Sequence, residues 1–308
     1  MILLSTGAII NKILGLLKTL ILIYFVGESS AYSSLLEYVY MVQLFLVPFD
    51  YSFLNTLFTG VKFEADAIRK LLIIAGFSLF ILGCWVLYKG DNVYALMSIT
   101  YFVLSLLSSF SIIALNRLRY LRLYLATSIL SSCILLCSTL FVKYSIDALY
   151  IGRIFSVLPL IIALLIVGNK INLRFEKEEW KLFRRRSLSS LLMNKSTILM
   201  IILPIFLAAF DFNLTYYAYA MTLSGMVNTV IVRNVQLLTM SRISYSLNLY
   251  YFIVFAAILA IVMFMLPMER YLLNSFDLIV FMRYLFLNAF LLLLLGQSDI
   301  KLTRNAAS

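Results

Sequence analysis

The sequence predicts an all-α integral membrane protein of about ten transmembrane helices arranged as two lobes, six plus four. Three observations carry this. Hydrophobic residues make up 63% of the 308-residue chain, mean hydropathy is +1.01, and only 13% of residues are charged, against about 25% in a soluble domain. The apolar runs recur at a length that crosses a bilayer as a helix, and they lack the polar–apolar alternation of a membrane β-barrel. Finally, once the runs are numbered, the basic residues fall almost entirely on one side.

In order, the runs cover 3–26, 34–58, 71–88, 93–115, 123–142, 147–168, 189–210, 214–232, 247–267 and 278–296. The first holds two lysines, Lys12 and Lys18; the second holds Glu37, Pro48 and Asp50. The third, fourth and fifth are uncharged through their centres, and the sixth carries Arg153 and Pro159. The seventh carries Lys195 and Pro204, the eighth opens on tyrosines, and the tenth carries Arg283. Each internal proline removes a backbone hydrogen bond and predicts a kink.

With the N-terminus inside, the inner connections hold Lys62, Arg69, Lys70, Arg117, Arg119, Arg122, seven Lys or Arg between 170 and 186, Arg233, Arg242, Lys301 and Arg304. The outer ones hold only Lys89, Lys143 and Arg270. Seventeen against three places both termini in the cytoplasm. The same rule accounts for the net charge of +11 without a nucleic-acid partner.

The longest connection, 169–188, holds the run Arg184-Arg185-Arg186 and is expected to lie as a short amphipathic helix on the inner leaflet. It divides the chain into a six-helix lobe, 1–168, and a shortened four-helix lobe, 189–308. An internal echo supports this division. Asn11-Lys12 recurs as Asn194-Lys195, and Tyr38-Val39-Tyr40 is matched by Tyr216-Tyr217-Ala218-Tyr219. The paired helices run in the same direction, as in a parallel repeat.

The chemistry centres on the first run. A lysine at mid-membrane depth costs roughly 3 kcal/mol even on lenient insertion scales, so it faces protein or water. Ser5, Lys12 and Thr19 are spaced by seven, as are Asn11 and Lys18, with Gly15 between the rows. They form one polar stripe on an apolar helix. Asn11, Lys12, Lys18 and Lys195 are therefore candidates for contact with an anionic ligand. Asp50 and Glu37 are candidates for ion pairs or for coupling. The alternative is that the lysines only hold helices together, with Asp50 the obvious partner of Lys12; for that pair the structural role is preferred. Arg153 and Arg283 are read as snorkelling near helix ends, and Tyr216 and Tyr217 as interface anchors.

Other chemistry has few residues to work with. The chain has no histidine, and Cys84, Cys133 and Cys137 lie in apolar runs without metal-site spacing. No phosphate-binding glycine loop occurs. No cofactor or metal is expected, and the first run is too long for a cleavable signal.

Several stretches resemble polysaccharide flippases of the multidrug/oligosaccharidyl-lipid/polysaccharide superfamily. These are Gly7 to Tyr24 with its Ile13-Leu14-Gly15 step between basic residues, Phe25-Val26-Gly27, Asn116 to Tyr120 and on to Ile129, Leu149 to Ile154, and Leu214 to Ala220. The resemblance covers the first eight runs. That family has twelve or fourteen helices, so this chain resembles a member shortened in its second lobe. It also lacks the basic residue that some relatives carry near the position of Met221. The resemblance implies a flippase-like bundle in a bacterial cytoplasmic membrane, carrying a polyprenyl-pyrophosphate-linked oligosaccharide outward by alternating access. Membrane lipids and glycan-assembly proteins are the other partners implied. A membrane enzyme of glycan assembly and a non-transporting scaffold subunit are the competing readings. The first is disfavoured by short outer connections and few acids for general-base work.

Overall fold

The computed structural model describes residues 2–49, 65–117, 120–167, 195–210, 212–224 and 277–291. All regular structure among them is helical. The helices are α1 (Ile2–Val26), α2 (Ser30–Leu46), α3 (Ala65–Lys89), α4 (Asn92–Arg117), α5 (Leu121–Leu140), α6 (Asp147–Val167), α7 (Lys195–Ala209), α8 (214–224) and α9 (Leu278–Leu291). Four stretches are long and apolar enough to cross a membrane: Leu71–Lys89, Asn92–Ile112, Arg122–Lys143 and Asp147–Val167. This is the make-up of a multi-pass helical membrane protein.

Most helices lie where apolar run length placed them. The second run departs from expectation. α2 stops at Leu46, and a 3-10 turn, Val47–Phe49, carries the chain through Pro48. Proline lacks the N–H that an α-helix needs there and crowds the preceding turn. The predicted run at 247–267 and the basic connection at 169–188 lie outside the described residues.

Helix ends follow local chemistry. α1 and α3 both close on a glycine in the left-handed region, Gly27 (φ 55°) and Gly90 (φ 78°). The Gly27 N–H bonds back to the Ile23 carbonyl at 3.1 Å, as a left-handed helix cap does. The next helices are capped from their first turns. Ser29 Oγ accepts the Tyr32 N–H at 3.2 Å, and Asp91 Oδ1 accepts those of Val93 and Tyr94 at 3.0 and 3.1 Å.

The chain divides into two compact units: Met1–Leu14 with Glu37–Asn194, and Gly15–Leu36 with Lys195–Ser308. In the first, α6 packs against both α4 and α5, and α3 against α4. Gly152 permits the α5–α6 approach, because a Cβ at that position would overlap the Ser138 side chain. Small residues serve this purpose widely in membrane bundles. Aromatic rings fill the neighbouring layer: Tyr38 stacks on Tyr94 at 5.1 Å and meets Trp85 edge-on at 5.2 Å. In the second unit, residues 214–220 of α8 are all buried. α9 buries Leu278, Phe281, Leu285 and Ala289 while exposing Ile279, Phe286 and Phe290, an inward and an outward stripe at helical spacing.

Candidate functional site

The polar residues of α1 are distributed between the two units: Asn11 and Lys12 belong to the first, Lys18 and Thr19 to the second. In the first unit Asn11 is held at both ends of its amide. Its Nδ2 donates to Ser128 Oγ at 2.8 Å, and its Oδ1 accepts from Ser132 Oγ at 3.0 Å. Ser128 and Ser132 are one turn apart on α5, so the amide spans two successive turns of that helix. Such bonds can be made wherever two helices meet in lipid, since hydrocarbon offers no alternative partner.

Lys12 and Lys18 are half-buried, and each interacts with another group of the chain. Thr19 is almost fully buried and turns its hydroxyl onto the Gly15 carbonyl of its own helix at 3.0 Å. Ile10, Ile13, Leu17 and Tyr24 are exposed at helical spacing on the other side of α1. The exposed apolar residues of this helix thus lie opposite Asn11, Lys12, Lys18 and Thr19, which are turned toward protein.

Glu37 finds a partner that sequence reasoning had not paired with it. Lys89 Nζ lies 2.6 Å from Glu37 Oε1 and 5.7 Å from the centre of the Trp85 ring. Lys89 ends α3, where a cation also suits the helix dipole. Lys195 opens α7; its side chain, like Asp50, lies outside the described residues.

Each unit also contains a polar knot at helix ends, and these the sequence reading missed. In the first, the Tyr94 hydroxyl donates to Asp147 Oδ1 at 2.6 Å, and Tyr150, fully buried, shares a hydrogen bond with Ser98 at 2.7 Å. In the second, Glu28 accepts from Asn213 Nδ2 and from the Tyr216 hydroxyl, both at 3.1 Å. The Tyr216 oxygen in turn accepts the Asp277 N–H at 2.7 Å. Tyr219 donates to the Gly27 carbonyl at 3.1 Å and stacks on Tyr32 at 6.0 Å. Tyr216 and Tyr217 are therefore core residues, 2% and 0% exposed, and not the interface anchors the sequence suggested.

A signal for these knots is present in the sequence. Ser29-x-x-Tyr32, Asp91-x-x-Tyr94, Asp147-x-x-Tyr150 and Asn213-x-x-Tyr216 each open a helix with a short polar residue followed three positions later by tyrosine. Ser29, Asp91 and Asn213 accept N–H groups of the first turn, whereas Asp147 takes the Tyr94 hydroxyl; the tyrosine, one turn in, reaches a neighbouring element.

No protein-family model, no curated protein and no solved structure matches this chain.

Proposed function

We propose that the chain is a shortened polysaccharide flippase, moving a polyprenyl-pyrophosphate-linked oligosaccharide across the bacterial cytoplasmic membrane by alternating access. The observation that carries this reading is the pair of half-buried lysines, Lys12 and Lys18, turned inward on an otherwise apolar 25-residue helix. A cation held at that depth is costly and is retained where it faces a partner, a cavity or an anionic ligand. A pyrophosphate between a polar glycan and an apolar tail is a ligand of that charge. In this reading Lys12 and Lys18 contact the head group, Lys195 lines the second lobe, and Asn11 sets the position of α1 by its grip on α5. Asp50 balances Lys12 between substrate visits. Ten spanning helices in two lobes supply the alternating walls.

The test is deletion of the gene with analysis of lipid-linked intermediates. Accumulation of the complete lipid-linked unit on the inner leaflet is the expected outcome. Unpolymerised units outside the membrane would instead point to an assembly enzyme, and unchanged intermediates would remove the transport reading.

A further inference from the structure

Arg153 is the one charged residue of α6 beyond its first turn, six residues after Asp147 and roughly 9 Å from that end at helical rise. A membrane helix divides its circumference between lipid and protein, and on α6 exposure marks the division. Ile151, Phe155, Ile162 and Ile166 are exposed, whereas Leu149, Tyr150, Leu160 and Val167 are buried. At about 100° per residue Arg153 falls between Tyr150 and Leu160, roughly opposite the middle of the exposed arc. Arg283 of α9 is placed in the contrary way. It lies on the stripe of Ile279, Phe286 and Phe290 and is exposed with them, where a snorkelling arginine belongs. Arg153 is half-buried on the protein side of its helix. Its charge lies close enough to the fully buried Tyr150 to act on that hydroxyl, which is bonded to Ser98 of α4 at 2.7 Å. The described carboxylates of this end of the first unit are engaged: Glu37 by Lys89, Asp91 by the Val93 and Tyr94 N–H groups, Asp147 by the Tyr94 and Ser145 hydroxyls. Arg153 itself interacts with another group of the chain.

We infer that Arg153 binds a phosphate-class oxyanion, phosphate or pyrophosphate, on the protein-facing side of α6 beside Tyr150. A charge within a membrane bundle is costly, and one that faces protein marks the path of an ion or a charged ligand. A guanidinium carries five N–H donors in a planar fork, so a contact within the chain leaves others for a bidentate oxyanion. The position opposite the exposed arc selects such a ligand over the head group of a surrounding phospholipid, which meets the exposed side, as at Arg283. The inference goes beyond the transport reading and needs no glycan: it assigns an anion site to a residue whose place near a helix end suggested only a lipid-side anchor.

The test uses the full-length protein in detergent, with arginines labelled by phenylglyoxal and the labelling read residue by residue by mass spectrometry. Inorganic pyrophosphate at saturation should slow the labelling of Arg153 by about tenfold or more and leave that of Arg283 unchanged, against sodium chloride at equal ionic strength. Phosphatidylglycerol should do the reverse, slowing Arg283 and sparing Arg153. Thermal unfolding supplies a second readout. Pyrophosphate should raise the Tm of the natural protein, and Arg153→Gln should abolish that rise. Arg153→Lys keeps the charge without the planar fork; it should weaken pyrophosphate binding about tenfold and serves should the glutamine variant fail to fold. Pyrophosphate that slows both arginines acts by general screening, and pyrophosphate that slows neither has no site at Arg153; either result overturns the inference. Phosphatidylglycerol that protects Arg153 as strongly as pyrophosphate does makes it a lipid anchor, and a full rise in Tm retained by either variant places the anion elsewhere. No glycan and no transport enter these measurements, so the inference can fail while the transport reading stands, and the reverse.

Discussion

At the scale of residues, Asn11 shows how a side chain can look like a ligand contact and act as a structural clip. Both ends of its amide are taken by α5, so Asn11→Ala should destabilise the protein by about 1 kcal/mol, the usual worth of interhelical hydrogen bonds in lipid. Denaturant unfolding of the purified protein measures this, and unchanged stability would free the amide for substrate. Asn288 is the opposite case. It is fully buried in α9, and its amide has no hydrogen-bond partner among the described residues. Asn288→Val, which removes the amide with only a modest gain in volume, should therefore stabilise the protein by about 1 kcal/mol or more, because an unsatisfied buried amide is removed. A loss of stability would show that the amide is bonded in the membrane. Lys12 and Lys18 bear on function. Lys12→Gln and Lys18→Gln should each abolish glycan export with protein levels unchanged, since removing a mid-membrane charge eases insertion. If Lys12 serves only to balance Asp50, the single change leaves that acid without its partner. Lys12→Leu combined with Asp50→Leu should then recover both folding and export. A double variant that folds but does not export is the outcome the transport reading expects.

At the scale of elements, the helix starts are the informative parts. The tyrosine one turn into each of α2, α4, α6 and α8 ties that helix to another through its ring or its hydroxyl. Tyr216 is the most heavily used of the four, donating to Glu28 and accepting from the Asp277 backbone. Tyr216→Phe keeps the ring and removes both bonds. The expected cost is about 1–3 kcal/mol, as for a buried backbone N–H left without its acceptor. Hydrogen exchange at the start of α9 should rise with it, and unchanged protection there would show that the hydroxyl is dispensable. The Glu37–Lys89 pair bridges α2 and α3 but is partly open to solvent, at 26% and 35% exposure. Pairs of that kind contribute little to stability.

At the scale of the whole molecule, the seventeen-to-three split of basic residues predicts ten spans with both termini in the cytoplasm. Reporter fusions after Lys177 should read as cytoplasmic, and fusions at Asp147 or Asp211 as external. An external reading at Lys177 would overturn the division into six plus four. The same orientation puts the Gly27, Gly90, Asp147 and Asn213 turns outside, so the polar knots of both units would lie at the outer ends of their helices.

Apolar run length determined by itself that the chain is helical and multi-pass, because a bilayer requires every backbone group to be satisfied within the segment that crosses it. It located α1, α4, α5 and α6 to within about two residues and missed the first six residues of α3, and it marked the polar stripe of α1 through spacing alone. Partners were another matter. Asn11 meets Ser128 and Ser132 across 117 and 121 residues, and Tyr216 meets Glu28 across 188. No periodicity within one helix encodes which other helix its polar face will meet. α2 ends at Leu46, just before Pro48, where the sequence suggested only a kink within a longer run. The membership of residues 15–36 in the second unit likewise belongs to the tertiary structure. It depends on pairs such as Glu28 with Tyr216 and Tyr32 with Tyr219, far apart in the chain, which only close approach in space can select.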